Sequence, residues 1–393
     1  MIYITAVKSF QFNTTPGIRF GAEESKNTAE EVTKKLGKKI LFVTDPGLAK
    51  LGLIDDTLSA LKSNSDVLVF DNVEADPSLK TLMKCVEIGS DFKATGVIGF
   101  GGGSSMDVAK LTALLIGSNE NIHEAWGVAN AKGPRLPLVL YPTTSGTGSE
   151  VTPISIITQD DQEKKGVSSP IILPDLAILD PLLTLGLPPH TTAATGIDAM
   201  VHAIESYASK GKNNNLISKS LAKEALNLIG SSISIAVNDG QNIEARSNML
   251  IGSMLAGVSF GNSPVAGVHA LAYPIGGTFH VPHGLSNAIV LPYVLRFNIK
   301  EPIAAKLYSE IADIVFPDID TSTSSQDIAS KFIENLSKLS SDLGLEQRLR
   351  DVNIPESACE NMAKDAMKQT RLLINNPKEI TEKDAYDIYK SAW

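Results

Sequence analysis

The sequence predicts an α/β domain with a parallel, doubly wound sheet over residues 1–185 and an all-α domain over residues 186–393. Three observations predict it. Between residues 38 and 180, short β-branched runs alternate with stretches of helical periodicity, as strands joined by crossover helices do. After Pro188 and Pro189 the alternation stops, and apolar residues recur at helical spacing almost to the C-terminus. Two of the β-branched runs end in loops crowded with glycine or hydroxyl residues, at the strand ends where open parallel sheets bind ligands.

The elements follow in order. Residues 38–44 read as a strand and 48–63 as a helix; 66–70 is the next strand and 78–88 the next helix. Residues 95–100, 105–115 and 136–141 continue the pattern as strand, helix and strand. In the second half, residues 191–208, 216–237, 243–259, 303–315, 325–343 and 357–373 have the apolar spacing of helices. Thr381 and Asp384 form a capping box ahead of a last helix, with Pro377 before it. No internal repeat or low-complexity tract interrupts the chain.

A length of 393 residues suits two or three domains. With 35 Lys and Arg against 44 Asp and Glu, the net charge of −9 repels phosphate backbones and acidic membranes, so nucleic acid and membrane partners are not expected. A hydrophobic fraction of 43% with 20% charged residues is enough to bury a large core. The two cysteines, Cys85 and Cys359, are too few and too far apart in sequence for a disulfide framework or a zinc knuckle. The first eight residues lack a basic leader pattern, and no apolar run approaches the roughly 18 residues needed to cross a bilayer. These features point to the cytoplasm.

Gly99, Gly101, Gly102, Gly103, Ser104, Ser105, Asp107 and Lys110 lie where a strand passes into a helix. Glycines let a backbone approach a pyrophosphate, and a helix start offers free amides to it. A glycine-rich turn without a ligand has the same composition, and the spacing is not the G-x-G-x-x-G fingerprint. Thr143, Thr144, Ser145, Gly146, Thr147, Gly148 and Ser149 form a second loop, either a ligand-binding rim or a polar cap on the strand end. Asp45 ends the first predicted strand, where a carboxylate accepts ribose hydroxyls and repels a 2′-phosphate, or opens a turn before Pro46.

Four of the six histidines lie between residues 202 and 283. Asp198 and His202 stand four apart and share one helix face; His269 falls early in another helix, and His283 follows His280 by three. Three imidazoles and one carboxylate suit Fe2+ or Zn2+, since thiolates are missing and oxygens are too few for Ca2+ or Mg2+. Such an ion with an open position is a Lewis acid toward an alcohol or carbonyl oxygen. Glu205, three residues beyond His202, reads as a solvated or ion-paired glutamate, with orientation of the His202 imidazole as the alternative. His123 and His190 fall outside the pattern.

Taken together, these motifs resemble the iron-containing (group III) alcohol dehydrogenase family, over nearly the whole chain. The matching stretches are Thr44 and Asp45, residues 101–110, 142–152, Asp180 and Pro181, 187–207, and 269–287. The resemblance implies a dehydroquinate synthase-like architecture with a nucleotide domain, a helical domain and a metal in the cleft between them. The implied metal ligands are Asp198, His202, His269 and His283. The implied dinucleotide contacts are Asp45, Gly101, Gly102, Gly103, Ser104, Asp107, Thr143, Thr144, Thr147 and Lys165. Family members with aspartate at the position of Asp45 use NAD, which is therefore expected here, with NADP as the alternative.

In many members a histidine follows the third ligand by four residues and assists proton transfer; this chain has Tyr273 there. Tyr273 and His280 are therefore the expected catalytic residues for the proton. The implied reaction is hydride transfer between NAD(H) and a short-chain alcohol or aldehyde, with Fe2+ (alternatively Zn2+) at the centre and a homodimer as the assembly. The rivals are a glycerol dehydrogenase-like or other metal- and NAD-dependent enzyme of the same fold, and a metal-binding module without turnover.

Overall fold

The computed structural model describes residues 9–159 and 164–393. The reading of the N-terminus rests on residues 1–8 and lies outside them. The chain divides into two compact units: one of residues 14–188 and 239–254, the other of residues 9–13, 189–238 and 255–393 among those described.

The first unit is built on a six-stranded sheet. Its strands are β1 (Ile18–Phe20), β2 (Lys39–Val43), β3 (Asp66–Phe70), β4 (Gly96–Gly101), β6 (Leu138–Pro142) and β9 (Leu176–Leu179), in the order β1-β9-β6-β4-β2-β3. Every pairing is parallel. Alternate residues bury on opposite faces: Leu41, Val43, Val97, Leu138 and Leu140 join one core, while Ile40, Phe42, Ile98, Phe100, Val139 and Tyr141 join the other. Both faces being covered explains why these strands read as unbroken apolar runs. The chain leaves β2 for β3 on one side and returns to β4 on the other, so the topological switch point lies between β2 and β4.

β5 (Gly127–Val128), β7 (Ile154–Thr158) and β8 (Lys164–Ser168) form a second, mixed sheet in the order β5-β8-β7. Neither this sheet nor β1 and β9 was expected from the sequence. The predicted helix over 48–63 is two helices, Pro46–Lys50 and Asp55–Lys62, because the Leu53 N–H turns back to the Leu48 carbonyl and closes the first. The predicted helix over 357–373 is likewise broken, into Cys359–Ala366 and Thr370–Leu373 after a short 3-10 turn.

The second unit is helical. Its principal helices are Pro189–Ala208, Leu216–Asn238, Gly267–Phe279, His283–Asn298, Pro302–Val315, Ser325–Asp342 and Glu382–Ala392. Thr381 and Asp384 make the reciprocal capping bonds expected of them. Pro189–Ala208 is the central element, buried along almost its whole length from Thr192, which is why its sequence lacks a polar stripe. No single helix among the described residues is long and apolar enough to cross a membrane.

Candidate metal centre and nucleotide loops

In the helical unit, Asp198 and His202 project from one face of Pro189–Ala208, as their four-residue spacing requires. His269 is the third residue of Gly267–Phe279, and His283 opens the following helix with Pro282 as its N-cap. Gly284 is what lets that opening turn lie against Pro189–Ala208: a Cβ there would meet the Ala194 carbonyl oxygen at 2.5 Å and the Asp198 Cβ at 3.2 Å. One ligand atom from each of Asp198, His202, His269 and His283 lies within 4.8 Å of the others. Asp198, His202 and His269 are buried, whereas the His283 side chain is 34% exposed.

The donor set fits a divalent cation. Asn287, one turn beyond His283, places its amide Nδ2 2.6 Å from Asp198 Oδ1 and 3.3 Å from both His269 Nε2 and His283 Nε2. Three lone-pair-bearing atoms thus converge on one positively polarised group. Asn287 Oδ1 is buried without a hydrogen-bond partner among the described residues. Burial pushes the Asp198 carboxyl up to about 6, against His269 and the Asn287 amide, which pull it down. A dication at that point compensates an ionised carboxylate that the apolar surroundings disfavour.

Glu205 departs from its expected role. It is neither solvated nor turned to His202: its Oε2 accepts from His269 Nδ1 at 2.7 Å and from the Ala266 N–H at 3.0 Å, and its Oε1 accepts from the Val268 N–H at 2.6 Å. One buried carboxylate therefore caps the start of the helix and leaves the His269 Nε2 lone pair facing the other ligands. The His202 ring stacks on Phe260 with centroids 4.3 Å apart.

Tyr273 lies one turn beyond His269, its ring centroid 6.2 Å from that of His283, and its hydroxyl oxygen accepts from Arg371 Nη2 at 3.2 Å. His280 is exposed and ends the same helix in the left-handed region, at φ 56°. His123 is exposed on the short helix Ile122–Ala125, and His190 pairs with Glu346 at 2.9 Å.

In the sheet-bearing unit, the two loops rich in glycine and hydroxyls are neighbours because β4 and β6 are. The Thr143 N–H bonds to the Gly101 carbonyl at 3.0 Å. A Cβ on Gly103 would meet Thr147 Cγ2 at 3.0 Å, so a larger residue there would push the Thr147 side chain away. Gly102 is the N-cap of the helix Gly103–Ser118, whose first turn carries Ser104 and Ser105. Thr144 lies 3.6 Å from where a Gly102 Cβ would stand, and Thr147 Oγ1 accepts from the Ser149 N–H. Asp45, at the end of β2, is the N-cap of Pro46–Lys50 and accepts from the Leu48 N–H at 3.0 Å. Asp45 and the glycine loop thus lie at the carboxyl ends of the two strands that flank the switch point.

Asp107 faces the protein: its Oδ1 accepts from Ser149 Oγ at 2.7 Å and its Oδ2 from the Ile156 N–H at 2.8 Å. Lys165 lies in β8 opposite Ile157 of β7. Lys110, to which the sequence reading gave no role, is fully buried and donates to Ser149 Oγ, Thr152 Oγ1 and the Ile154 carbonyl. Burial pushes its amine down to about 8, against the attraction of Asp107 at 3.8 Å, and pushes the Glu150 carboxyl up to about 7. Asn287 was also missed; its signal was the four-residue step from His283.

A family model described as iron-containing alcohol dehydrogenase matches residues 15–181, and one described as the C-terminal part of the Fe-containing alcohol dehydrogenase family matches residues 192–393. The chain is 42% identical to long-chain-alcohol dehydrogenase 1 of Geobacillus thermodenitrificans over 92% of its own length and 91% of that protein's. The solved structure of a 1,3-propanediol oxidoreductase matches with a TM-score of 0.93 at 33% identity, covering 98% of this chain and 100% of the other. Sulfoacetaldehyde reductase from Bifidobacterium kashiwanohense, in complex with NAD+, matches with a TM-score of 0.84 at 28% identity, covering 98% of each.

Proposed function

The chain belongs to the iron-containing alcohol dehydrogenase family and is an alcohol dehydrogenase (aldehyde reductase) of it; from that premise we propose that it transfers hydride between NAD(H) and a short-chain alcohol or aldehyde, with Fe2+ held by Asp198, His202, His269 and His283. The observation that carries this reading is the convergence of four ligand atoms within 4.8 Å, three from buried side chains and one from the part-exposed His283. An ion there supplies Lewis acidity toward the substrate oxygen, and the nicotinamide supplies the hydride acceptor.

The chain's own residues do the rest. Glu205 fixes the His269 ring and its tautomer. Phe260 holds the His202 ring by stacking, and Asn287 braces Asp198. The exposed edge of His283 is the side from which an alcohol oxygen arrives. Tyr273, beside it, passes the proton at its hydroxyl, with His280 at the same helix end as the alternative relay. In the other unit, Gly101, Gly102, Gly103 and Ser104 bind the pyrophosphate at a helix start, while Thr143, Thr144 and Thr147 supply hydroxyls from the neighbouring loop. Asp107 serves that site by pinning Ser149, and Lys165 contributes from β8. Asp45 favours NAD because its carboxylate repels a 2′-phosphate.

Zinc is the alternative metal, since the ligand set accepts both. Free, buried Cys85 and Cys359 support a reducing cytoplasm. A homodimer has support in the edge strand β1, where Ile18 and Phe20 are exposed, and light scattering of the purified protein checks it.

The test is His269→Ala, made with anaerobic Fe2+ loading. We expect lost metal by elemental analysis, lost NADH-linked aldehyde reduction, and unchanged quenching on NADH titration. Full metal content with retained turnover overturns the reading.

A further inference from the structure

Arg371 is exposed, and among the described residues no carboxylate lies within 4.0 Å of its guanidinium. Its Nη2 donates to Tyr273 Oη at 3.2 Å, and its Cζ is 5.9 Å from the centre of the Tyr273 ring. That ring in turn lies beside His283, the one ligand with a solvent-facing edge. The guanidinium is therefore set one tyrosine side chain away from the open side of the metal centre.

Its backbone is anchored to the same scaffold. Asn375 Nδ2 donates to the Arg371 carbonyl at 3.0 Å and to the Val265 carbonyl at 3.1 Å. Asn376 Oδ1 accepts from the Gly267 N–H at 3.2 Å. Both asparagines tie the short helix Thr370–Leu373 to the start of the helix that carries His269 and Tyr273. Arg371 thus shares one frame with the metal ligands instead of sitting on an independent loop.

Resting on the dehydrogenase reading above, we propose that Arg371 is a specificity-determining residue that selects alcohols and aldehydes bearing an oxyanion, such as a carboxylate, a few carbons from the reacting carbon. A guanidinium presents several fixed N–H donors that match an oxyanion, and its charge is permanent. With Arg371 Nη2 on its oxygen, the Tyr273 hydroxyl keeps its own proton to donate along the substrate chain. Neutral chains of equal length meet an unpaired cation there and gain nothing from it.

The experiment compares 4-oxobutanoate with butanal as substrates for the metal-loaded enzyme and for Arg371→Ala and Arg371→Lys. We expect the parent enzyme to favour 4-oxobutanoate, and R371A to lose roughly 10- to 100-fold in kcat/KM for it, mostly in KM, the range of a hydrogen bond to a charged group. R371A should lower the ratio of kcat/KM for 4-oxobutanoate to that for butanal, whatever shared change the lost bond to Tyr273 brings to both, and R371K should recover part of that ratio. An enzyme that prefers butanal, or an R371A variant that loses both substrates in parallel, overturns the proposal. Calorimetric titration with 4-hydroxybutanoate separates this from the failure of the dehydrogenase reading. Arg371-dependent binding without any NADH-linked rate supports the anion site and sinks the dehydrogenase, while turnover of butanal without such binding does the opposite.

Discussion

Glu205 accepts the Nδ1 proton of His269 at 2.7 Å while its other oxygen caps the Val268 N–H at 2.6 Å. The glutamate that holds a candidate metal ligand therefore also starts the helix bearing it. Glu205→Gln keeps an acceptor but removes the charge that makes the imidazole a stronger donor. It should weaken metal binding about 10- to 100-fold, measured by competition with a chelator, while circular dichroism stays that of the parent.

Gly284→Ala tests the close approach that brings His283 to Asp198. The added methyl would lie 2.5 Å from a backbone oxygen of Ala194, which cannot rotate away. A cost of about 1–3 kcal/mol in urea unfolding, together with substoichiometric metal, is expected. A variant with the parent's midpoint and a full complement of metal contradicts this account of the helix contact.

Glu150 makes stability depend on pH. Its folded carboxyl titrates near 7 because it is buried, against an ordinary value of 4.5. The folded state thus holds the proton more tightly, so this contribution is fully present below about pH 4.5 and is lost as the pH rises through about 7. The loss is on the order of 3 kcal/mol. Glu150→Gln should flatten the fall, and urea midpoints at about pH 5 and about pH 8 read the difference.

Lys110→Met leaves Asp107 and the buried Glu150 without the cation that attracts both. Breaking such a buried set is expected to cost about 3 kcal/mol and to loosen Ser149, Thr152 and Ile154, which the amine holds. NADH affinity by fluorescence should fall, with metal content unchanged because the ligands belong to the other unit. Equal losses of metal and NADH would instead indicate general unfolding.

The parts that were legible in the sequence have local signatures. Asp198 and His202 declare a shared helix face by spacing alone, and β2, β3, β4 and β6 declare themselves by dense β-branched runs. The partnership of Glu205 with His269 spans 64 residues, and nothing in the local pattern separates it from the nearer His202. β1 has three residues, all exposed, and exists because β9 offers it a parallel partner, so no periodicity marks it. The helix over 48–63 failed as a reading because apolar spacing survives the turn that splits it. Asp45 shows the remaining difficulty: its capping of Leu48 accounts for one carboxylate oxygen, and the same Asp-Pro pair in sequence serves a turn or a ligand alike.

The unequal sealing of the four ligands has a further consequence. Of the four candidate ligands, Asp198, His202 and His269 are buried and His283 alone keeps a third of its side chain exposed, so an approach beside His283 is the one these exposures leave to ions, solvent and dissolved dioxygen. If the proposed ferrous ion sits there, what lies beside His283 sets how fast it escapes or is oxidised. A bound substrate should therefore slow inactivation in air, and an empty enzyme should age fastest when handled aerobically.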